Sequence, residues 1–205
     1  MREPLGPQQQ RALEQMRTVL GDEFLTLDVI DYQLSENFGE EHCVVVCNVV
    51  EKPGDRRFTV EGRGVGMLDA FFSALSARYQ DEHPSLESIR FTHFDVRGLM
   101  GDARAERASD AKAEARIGVT NSAGMEFTFA AVSTSVSHSS MEAVLEAVEY
   151  FVNSERAYVR IYKALEHYRK ENRPELVGKY TDLLAQMVRN TSYSSAVERL
   201  KKDLR

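Results

Sequence analysis

The side chains that most often carry out catalysis are few and scattered in this sequence. The sequence has five histidines: His42, His83, His93, His138 and His167. None of them has the His-x-His or His-Glu-x-x-His spacing that brings two ligands to one metal. His138 lies beside Ser139 and Ser140 and could serve as a base for a serine nucleophile, but serines in such a position also cap helices. The pattern favours helix caps and indicates no catalytic residue, no metal and no cofactor.

The two cysteines point to a buried strand. Cys43 and Cys47 lie in HCVVVCN (residues 42–48), a segment rich in β-branched residues. A strand rises about 3.3 Å per residue, so the two thiols lie too far apart for a disulfide. A metal site would need further ligands from elsewhere in the chain. We therefore expect two structural thiols.

A glycine-rich segment, GRGVG (residues 62–66), lies between an expected strand and an expected helix. A loop in this position could bind phosphate at the helix N-terminus. The spacing is not Gly-x-Gly-x-x-Gly, however, and the preceding strands are expected to be antiparallel, which disfavours a nucleotide site. Two interpretations stay open: glycines that only allow a sharp turn and a close backbone approach, or a loop that also contacts a small ligand.

The elements that must position this loop form a first unit of three strands and a helix, preceded by another helix. Hydrophobic periodicity, proline and glycine positions predict them. Their order is helix 7–20, bulged strand 24–34, a hairpin of strands 43–50 and 57–61 with its turn at 52–55, and helix 68–79.

The same order of elements then repeats, with strands over residues 89–96, 111–119 and 125–132. A polar loop precedes the last helix of this second unit, for which Ser139 and Glu142 form the expected capping box. The charged, alanine-rich segment 101–110 is expected to be a mobile loop. The sequence thus predicts an α+β fold of two βββα units with antiparallel sheets, related by pseudo-twofold symmetry.

After residue 153 the sequence looks wholly helical. Tyr158, Ile161 and Leu165 form one apolar stripe, Pro174 begins another helix, and a last short helix is expected from Ser195. These helices must dock on the domain itself or on a second subunit. The predicted divisions are an N-terminal helix at 1–22, a domain at 23–153 (units about 23–80 and 88–153) and a C-terminal helical extension at 154–205.

Three segments resemble the C-terminal regulatory (allosteric, dimerisation) domain of 2-isopropylmalate synthases and citramalate synthases. GVGMLDA (residues 64–70) resembles the Gly-x-Gly-x-x-Asp-Ala loop in the first half of that domain. DAKAEA (110–115) looks like its penultimate strand, and AVSTSV (131–136) is similar to its Gly-Val-Ser-Thr-Asp-Ile loop. The last helix of the family usually ends where Asn153 falls. The resemblance covers roughly residues 24–153.

The resemblance implies two βββα units, a homodimer, and a site for the end-product amino acid (leucine, or isoleucine) near the dimer interface. Six loop positions are carried over as candidate ligand contacts: Gly64, Gly66, Asp69, Ser133, Thr134 and Val136. The catalytic barrel of the synthases is not expected, because 205 residues cannot hold a barrel of about 250 residues as well. By this resemblance the protein is a regulatory domain and not an enzyme.

Two residues of the second loop depart from the family pattern. Ala131 stands where the family usually has Gly, and Ser135 where it has Asp, which removes a carboxylate that could hold a ligand ammonium. One hypothesis is a homodimeric sensor of a branched-chain amino acid that signals to a protein partner through the C-terminal helices. Another is a ligand-free dimerisation or scaffold module. An enzyme on a reused fold would require a cleft with clustered, perturbed titratable groups.

The charge and hydropathy of the sequence limit which binding partners and which cellular location are expected. The net charge is −6, and residues 155–205 carry twelve Lys or Arg against seven Asp or Glu, so the acidic excess lies in residues 1–154. This main body would repel phosphates, so nucleic acid is not expected as a partner. No apolar run approaches the about 18 residues of a membrane span, and no secretory signal is visible. We expect a cytoplasmic protein that does not enter a membrane.

Overall fold

The computed structural model describes residues 1–40, 42–99 and 111–191, and it confirms the predicted α+β fold with two βββα units. Its elements are α1 (Pro7–Leu20), β1 (Thr26–Asn37), β2 (His42–Lys52), β3 (Arg56–Gly64), α2 (Met67–Tyr79), β4 (Arg90–Leu99), β5 (Lys112–Thr120), β6 (Glu126–Ser133), α3 (Val136–Lys170) and α4 (Pro174–Thr191). The loop predicted at 101–110 and the helix predicted from Ser195 lie outside the described residues.

The first sheet is antiparallel, in the order β1–β2–β3, and carries α2 on its inner face. Alternate residues of a strand share one face, so the odd-numbered apolar residues of β2 are buried together: Cys43, Val45, Cys47 and Val49. The predicted bulge is present in β1, between Val29 and Asp31. Burial raises the pKa of both thiols, to about 12 for Cys47, so the prediction of two structural thiols is confirmed.

The second sheet repeats this arrangement in the order β4–β5–β6. On β5, Ile117 and Val119 face α3 and are fully buried. Phe127 of β6 packs against Phe151 of α3 with ring centroids 5.1 Å apart and nearly perpendicular planes. Every residue of β4, by contrast, is exposed.

Helix α3 also holds the first unit in place. The side-chain amide of Asn153 accepts a hydrogen bond from the Leu25 N–H and donates one to the Leu25 carbonyl, each 2.8 Å long. One turn earlier, Glu149 accepts from the Leu27 N–H at 2.7 Å. The helix of the second unit therefore fastens the backbone where β1 begins.

The start of α3 differs from the prediction. The N-cap is Ser135, whose Oγ accepts a hydrogen bond from the His138 N–H at 3.3 Å. The capping box expected at Ser139 is therefore wrong. Ser139 and Ser140 lie inside the first turns of the helix, where both hydroxyls donate to the Val136 carbonyl.

The end of α3 also differs from the expectation that the resemblance supplied. The helix does not end at Asn153 but continues to Lys170. Asn153 and Ser154 are both fully buried, and neither Gly nor Pro occurs between them and the helix end. The packing of this turn against the rest of the protein therefore stabilises the helix beyond the point where it usually ends in the family.

The C-terminal helices pack on the body of the same chain. Helix α4 lies against α3 and α1. Met187 of α4 is buried, and the Ser154 hydroxyl points at its sulfur at 3.8 Å. Among the described residues, no helix is both long enough and apolar enough to cross a bilayer.

Residues 1–3 form contacts with the second sheet that the sequence did not predict. They run along the edge of β6, where the Val132 N–H donates to the Met1 carbonyl at 2.8 Å and Arg2 bridges to Ala131. The guanidinium of Arg2 donates to Glu149, which is buried in α3. This contact balances a carboxylate that would otherwise be costly to bury.

Candidate functional site

The first predicted loop joins β3 to α2, and Gly64 is required there by a close approach. A Cβ on Gly64 would lie 2.4 Å from Asp69 Oδ2 and 2.6 Å from the Ala70 nitrogen. Asp69 occupies the third position of α2, and its carboxylate accepts a hydrogen bond from the Val65 N–H at 3.1 Å. Gly64 and Asp69 thus hold the loop against the start of the helix.

Gly66 differs from Gly64 in its surroundings. It is the N-cap residue of α2, its φ of −159° is extended backbone that any residue adopts, and a Cβ there would meet no atom within 4 Å. The neighbouring Val65 is 75% exposed. The fold does not require glycine at position 66, which leaves this end of the loop free to contact another molecule.

The second predicted loop joins β6 to α3. The Ser133 hydroxyl accepts a hydrogen bond from the Ser135 N–H at 3.2 Å, which turns the chain into the helix. Thr134 is exposed, and Val136, the first residue of α3, is 50% exposed. The polar groups of this loop are used internally, whereas Thr134 and Val136 face outward.

The two loops are equivalent in position, but only the second has a side chain that caps its helix. In the first loop the N-cap is a glycine, and Asp69 at the third helical position reaches back to the Val65 N–H before the helix. In the second loop the N-cap serine accepts from the third helical N–H. A serine hydroxyl can cap a helix N-terminus as an aspartate carboxylate does, but it carries no charge. The departure at Ser135 therefore leaves the helix start intact and removes only the negative charge.

The six candidate contacts fall into two groups. The structure brings Gly64, Gly66 and Asp69 together in the first loop, and it brings Ser133, Thr134 and Val136 together in the second. No hydrogen bond among the described residues joins one loop to the other.

A cavity of about 310 Å³ lies beside the second loop, and sequence reasoning missed it. The bulge of β1 lines one side and the first turns of α3 line the other, through Val29, Ile30, Asp31, Tyr32, His138, Met141 and Glu142. Its walls combine apolar surface with two carboxylates and a histidine, and its volume is typical of small-molecule sites. The bulge was visible in the sequence, but its place against α3 depends on the docking of the two units.

The comparison with protein families agrees with this geometry. The model of the LeuA allosteric (dimerisation) domain matches residues 9–152. The chain belongs to the LeuA allosteric (dimerisation) domain family. No curated protein matches it. The matched LeuA segment includes α1, both βββα units and the first half of α3, whereas the second half of α3 and all of α4 lie beyond it.

The LeuA segment leaves an apolar surface uncovered on its edge strands. Phe94 of β4 is paired with Ile117, so both side chains point to the inner face of the sheet. Ile117 is fully buried under α3, but Phe94 is 50% exposed. On β1, Leu34 is paired with the buried Val45 and is 40% exposed. In each unit the edge strand therefore extends past the helix that covers the rest of its sheet.

Proposed function

We propose that this protein is a homodimeric regulatory module that binds a branched-chain amino acid, leucine-like in size, at the cavity beside the second loop. The observation that carries the proposal is the position of this cavity. It lies between β1 and the first turns of α3, where its lining begins at His138, two residues beyond Val136. Ser133, Thr134 and Val136, the positions that the family resemblance marks as ligand contacts, directly precede this lining in the chain.

The lining of the cavity suits the side chain and the ammonium group of such a ligand. Val29, Ile30 and Met141 provide an apolar wall for a branched side chain. Asp31, which also accepts a hydrogen bond from Asn48, and Glu142, which also pairs with Arg2, provide carboxylates for the ammonium group. These carboxylates supply the charge that Ser135 lacks in comparison with the family pattern.

The uncovered inner faces of β1 and β4 support the dimer. Apolar surface rimmed by polar residues marks protein interaction sites, and an exposed edge strand also invites pairing. A second copy of this chain would cover Phe94 and Leu34, which the helices of one chain leave exposed. The LeuA family is named for dimerisation, which agrees with this occupant.

Signalling to a protein partner would use the C-terminal helices. The helix that begins at the second loop is the same helix that runs to Lys170 and supports α4. A ligand that shifts the start of α3 would therefore move a rigid element whose far end lies outside the LeuA segment.

A ligand-free dimerisation or scaffold module is the second candidate. It is favoured by Ala131 and Ser135, which replace residues usual in the family, and by the internal use of the polar groups of both loops. In this second candidate function the loops keep their turns but bind no ligand, and the apolar faces of the edge strands form the dimer.

Thermal unfolding with and without millimolar leucine, isoleucine and valine separates the two candidates, with unrelated amino acids as controls. The sensor predicts a saturable rise of Tm with one branched-chain amino acid, roughly 5–10 °C at a hundredfold excess over Kd. Ser133→Ala and Ile30→Ala should reduce this rise. Ser35→Ala, on the outer face of β1, should leave it unchanged.

Light scattering on the same samples reports the oligomeric state. A folded dimer with no response to any branched-chain amino acid would favour the scaffold module and exclude the sensor. A monomer at micromolar concentration would remove the basis for both candidates.

A further inference from the structure

A second cleft, of about 770 Å³, lies where the second half of α3 passes the end of α1, the turn between β2 and β3, and the segment before the short 3-10 helix Pro84–Ser88. Its α3 side consists of residues 155–163, all beyond the LeuA match at 9–152. The cleft is thus formed jointly by the family domain and by the extension that follows it.

Three cations of α3 line one wall of this cleft. Arg156, Arg160 and Lys163 recur at spacings of four and three residues, so they share one face of the helix. Arg160 is already engaged, with Glu23 at 2.9 Å and the Leu20 carbonyl at 3.3 Å. Among the described residues, Arg156 and Lys163 form no ion pair. Two positive charges are therefore available to an anion in the cleft.

His83 lies on the opposite wall. It is only 7% exposed, and no residue of the described chain forms a hydrogen bond with its buried Nε2. Burial, and then the charge of Arg156, lower the pKa of His83 to about 4. The imidazole is neutral at physiological pH, so its Nε2 offers one hydrogen bond rather than a charge.

The remaining walls select against a highly charged anion. Four glutamates also line the cleft: Glu23, which pairs with Arg160, Glu51, Glu82 and the buried Glu155, whose Oε1 lies 3.9 Å from His83 Nδ1. A phosphate with two negative charges would therefore be repelled. Leu20 and Val159 add apolar surface that suits a carbon skeleton. The guanidinium of Arg156 has the planar, two-pronged geometry that matches a single carboxylate.

We infer that this cleft binds a small organic carboxylic acid that also carries an amino or hydroxyl group. Arg156 and Lys163 hold its carboxylate, and His83 together with Glu82 receives its second polar group. This inference does not rest on the proposed function, because the cleft shares no lining residue with the cavity beside the second loop.

An NMR titration of uniformly ¹⁵N-labelled full-length protein tests the inference with three matched probes. Butyrate, 2-hydroxybutyrate and 2-aminobutyrate differ only in the group at carbon 2, and none is branched. We expect saturable shifts at the amides around His83, Arg156 and Lys163 with the hydroxy or amino acid, and at least roughly tenfold weaker binding of butyrate, which lacks one hydrogen bond.

Three charged residues of α3 provide matched variants: the partly buried Arg156 and the exposed Lys163 and Lys170. Arg156→Gln and Lys163→Gln should each weaken binding roughly tenfold, since each removes a charge-assisted hydrogen bond. Lys170→Gln, on the same helix outside the cleft, should bind like the unaltered protein. Unchanged binding in both cleft variants would overturn the inference. So would saturation by inorganic phosphate at these amides without any response to the three acids.

Discussion

At the scale of single residues, the most consequential polar group is an amide in the middle of a helix. Asn153 uses both ends of its side chain on the backbone of Leu25, with two hydrogen bonds of 2.8 Å and no exposure to solvent. An asparagine in the middle of a helix carries no recognisable signal in the sequence. Its role depends on a partner 128 positions away.

Asn153→Ala should lower the free energy of unfolding by about 2–4 kcal/mol, because it leaves the N–H and the carbonyl of Leu25 buried and unpaired. Urea denaturation at neutral pH measures the change. Asn48→Ala is the control: this side-chain amide is exposed and, within the described part of the chain, bonds to the side chains of Asp31 and Thr59, so its loss should cost less than about 1 kcal/mol. Equal effects of the two substitutions would contradict the role given to Asn153.

At the scale of elements, the two loops show how one backbone design accepts different side chains. Both place a strand end against a helix start, and both fix this junction with a local hydrogen bond between a side chain and a backbone N–H. The first loop does so through Asp69 and a glycine pressed against the helix; the second does so through Ser135. The match to the family therefore survives changes in the capping residues.

The two glycines of the first loop should respond differently to the same substitution. Gly64→Ala should destabilise the protein by about 1–3 kcal/mol, because the new Cβ meets the backbone nitrogen of Ala70 at 2.6 Å. Gly66→Ala should change stability by less than about 0.5 kcal/mol, since its surroundings are open. Thermal and urea unfolding measure both. If Gly66→Ala leaves stability unchanged but reduces the rise of Tm caused by a branched-chain amino acid, the first loop also contacts the ligand.

At the scale of the whole molecule, each unit leaves part of its outermost strand uncovered: the second half of β1 and all of β4. Helices α2 and α3 lie mainly over β2–β3 and β5–β6, so β1 and β4 extend beyond them. Phe72 of α2 packs against Phe91 at the near end of β4, with ring centroids 5.0 Å apart. The rest of the inner face of β4 is exposed in a single chain, and the proposed dimer would bury it.

Two neighbouring residues of β4 test this surface because they point to opposite faces of the sheet. Phe94→Lys places a charge on the uncovered inner face and should weaken the dimer by at least about tenfold in Kd, since a buried unpaired charge is costly. Asp95→Lys puts the same side chain on the outer face, opposite Arg116, and should leave the dimer intact. Sedimentation equilibrium measures both. A dimer equally stable in both variants would place the interface elsewhere.

The sequence by itself determined what depends on local patterns. Alternation in residues 43–49 predicted β2, Pro53 and Gly54 predicted the hairpin turn, and the repeated order of strands and helix predicted both units. Each of these signals acts over a few residues, through backbone sterics or through the burial of one face. The family motifs were local in the same sense, since each loop is a strand end followed at once by a helix start.

Only the tertiary structure decided where these elements meet. The length of α3 depended on the burial of Asn153, and the cavity beside the second loop depended on the docking of the β1 bulge against Met141. The second cleft depended on α3 passing His83. Contacts between distant segments leave no periodic trace in either one, because each side chain is compatible with many partners until the packing of the core selects one.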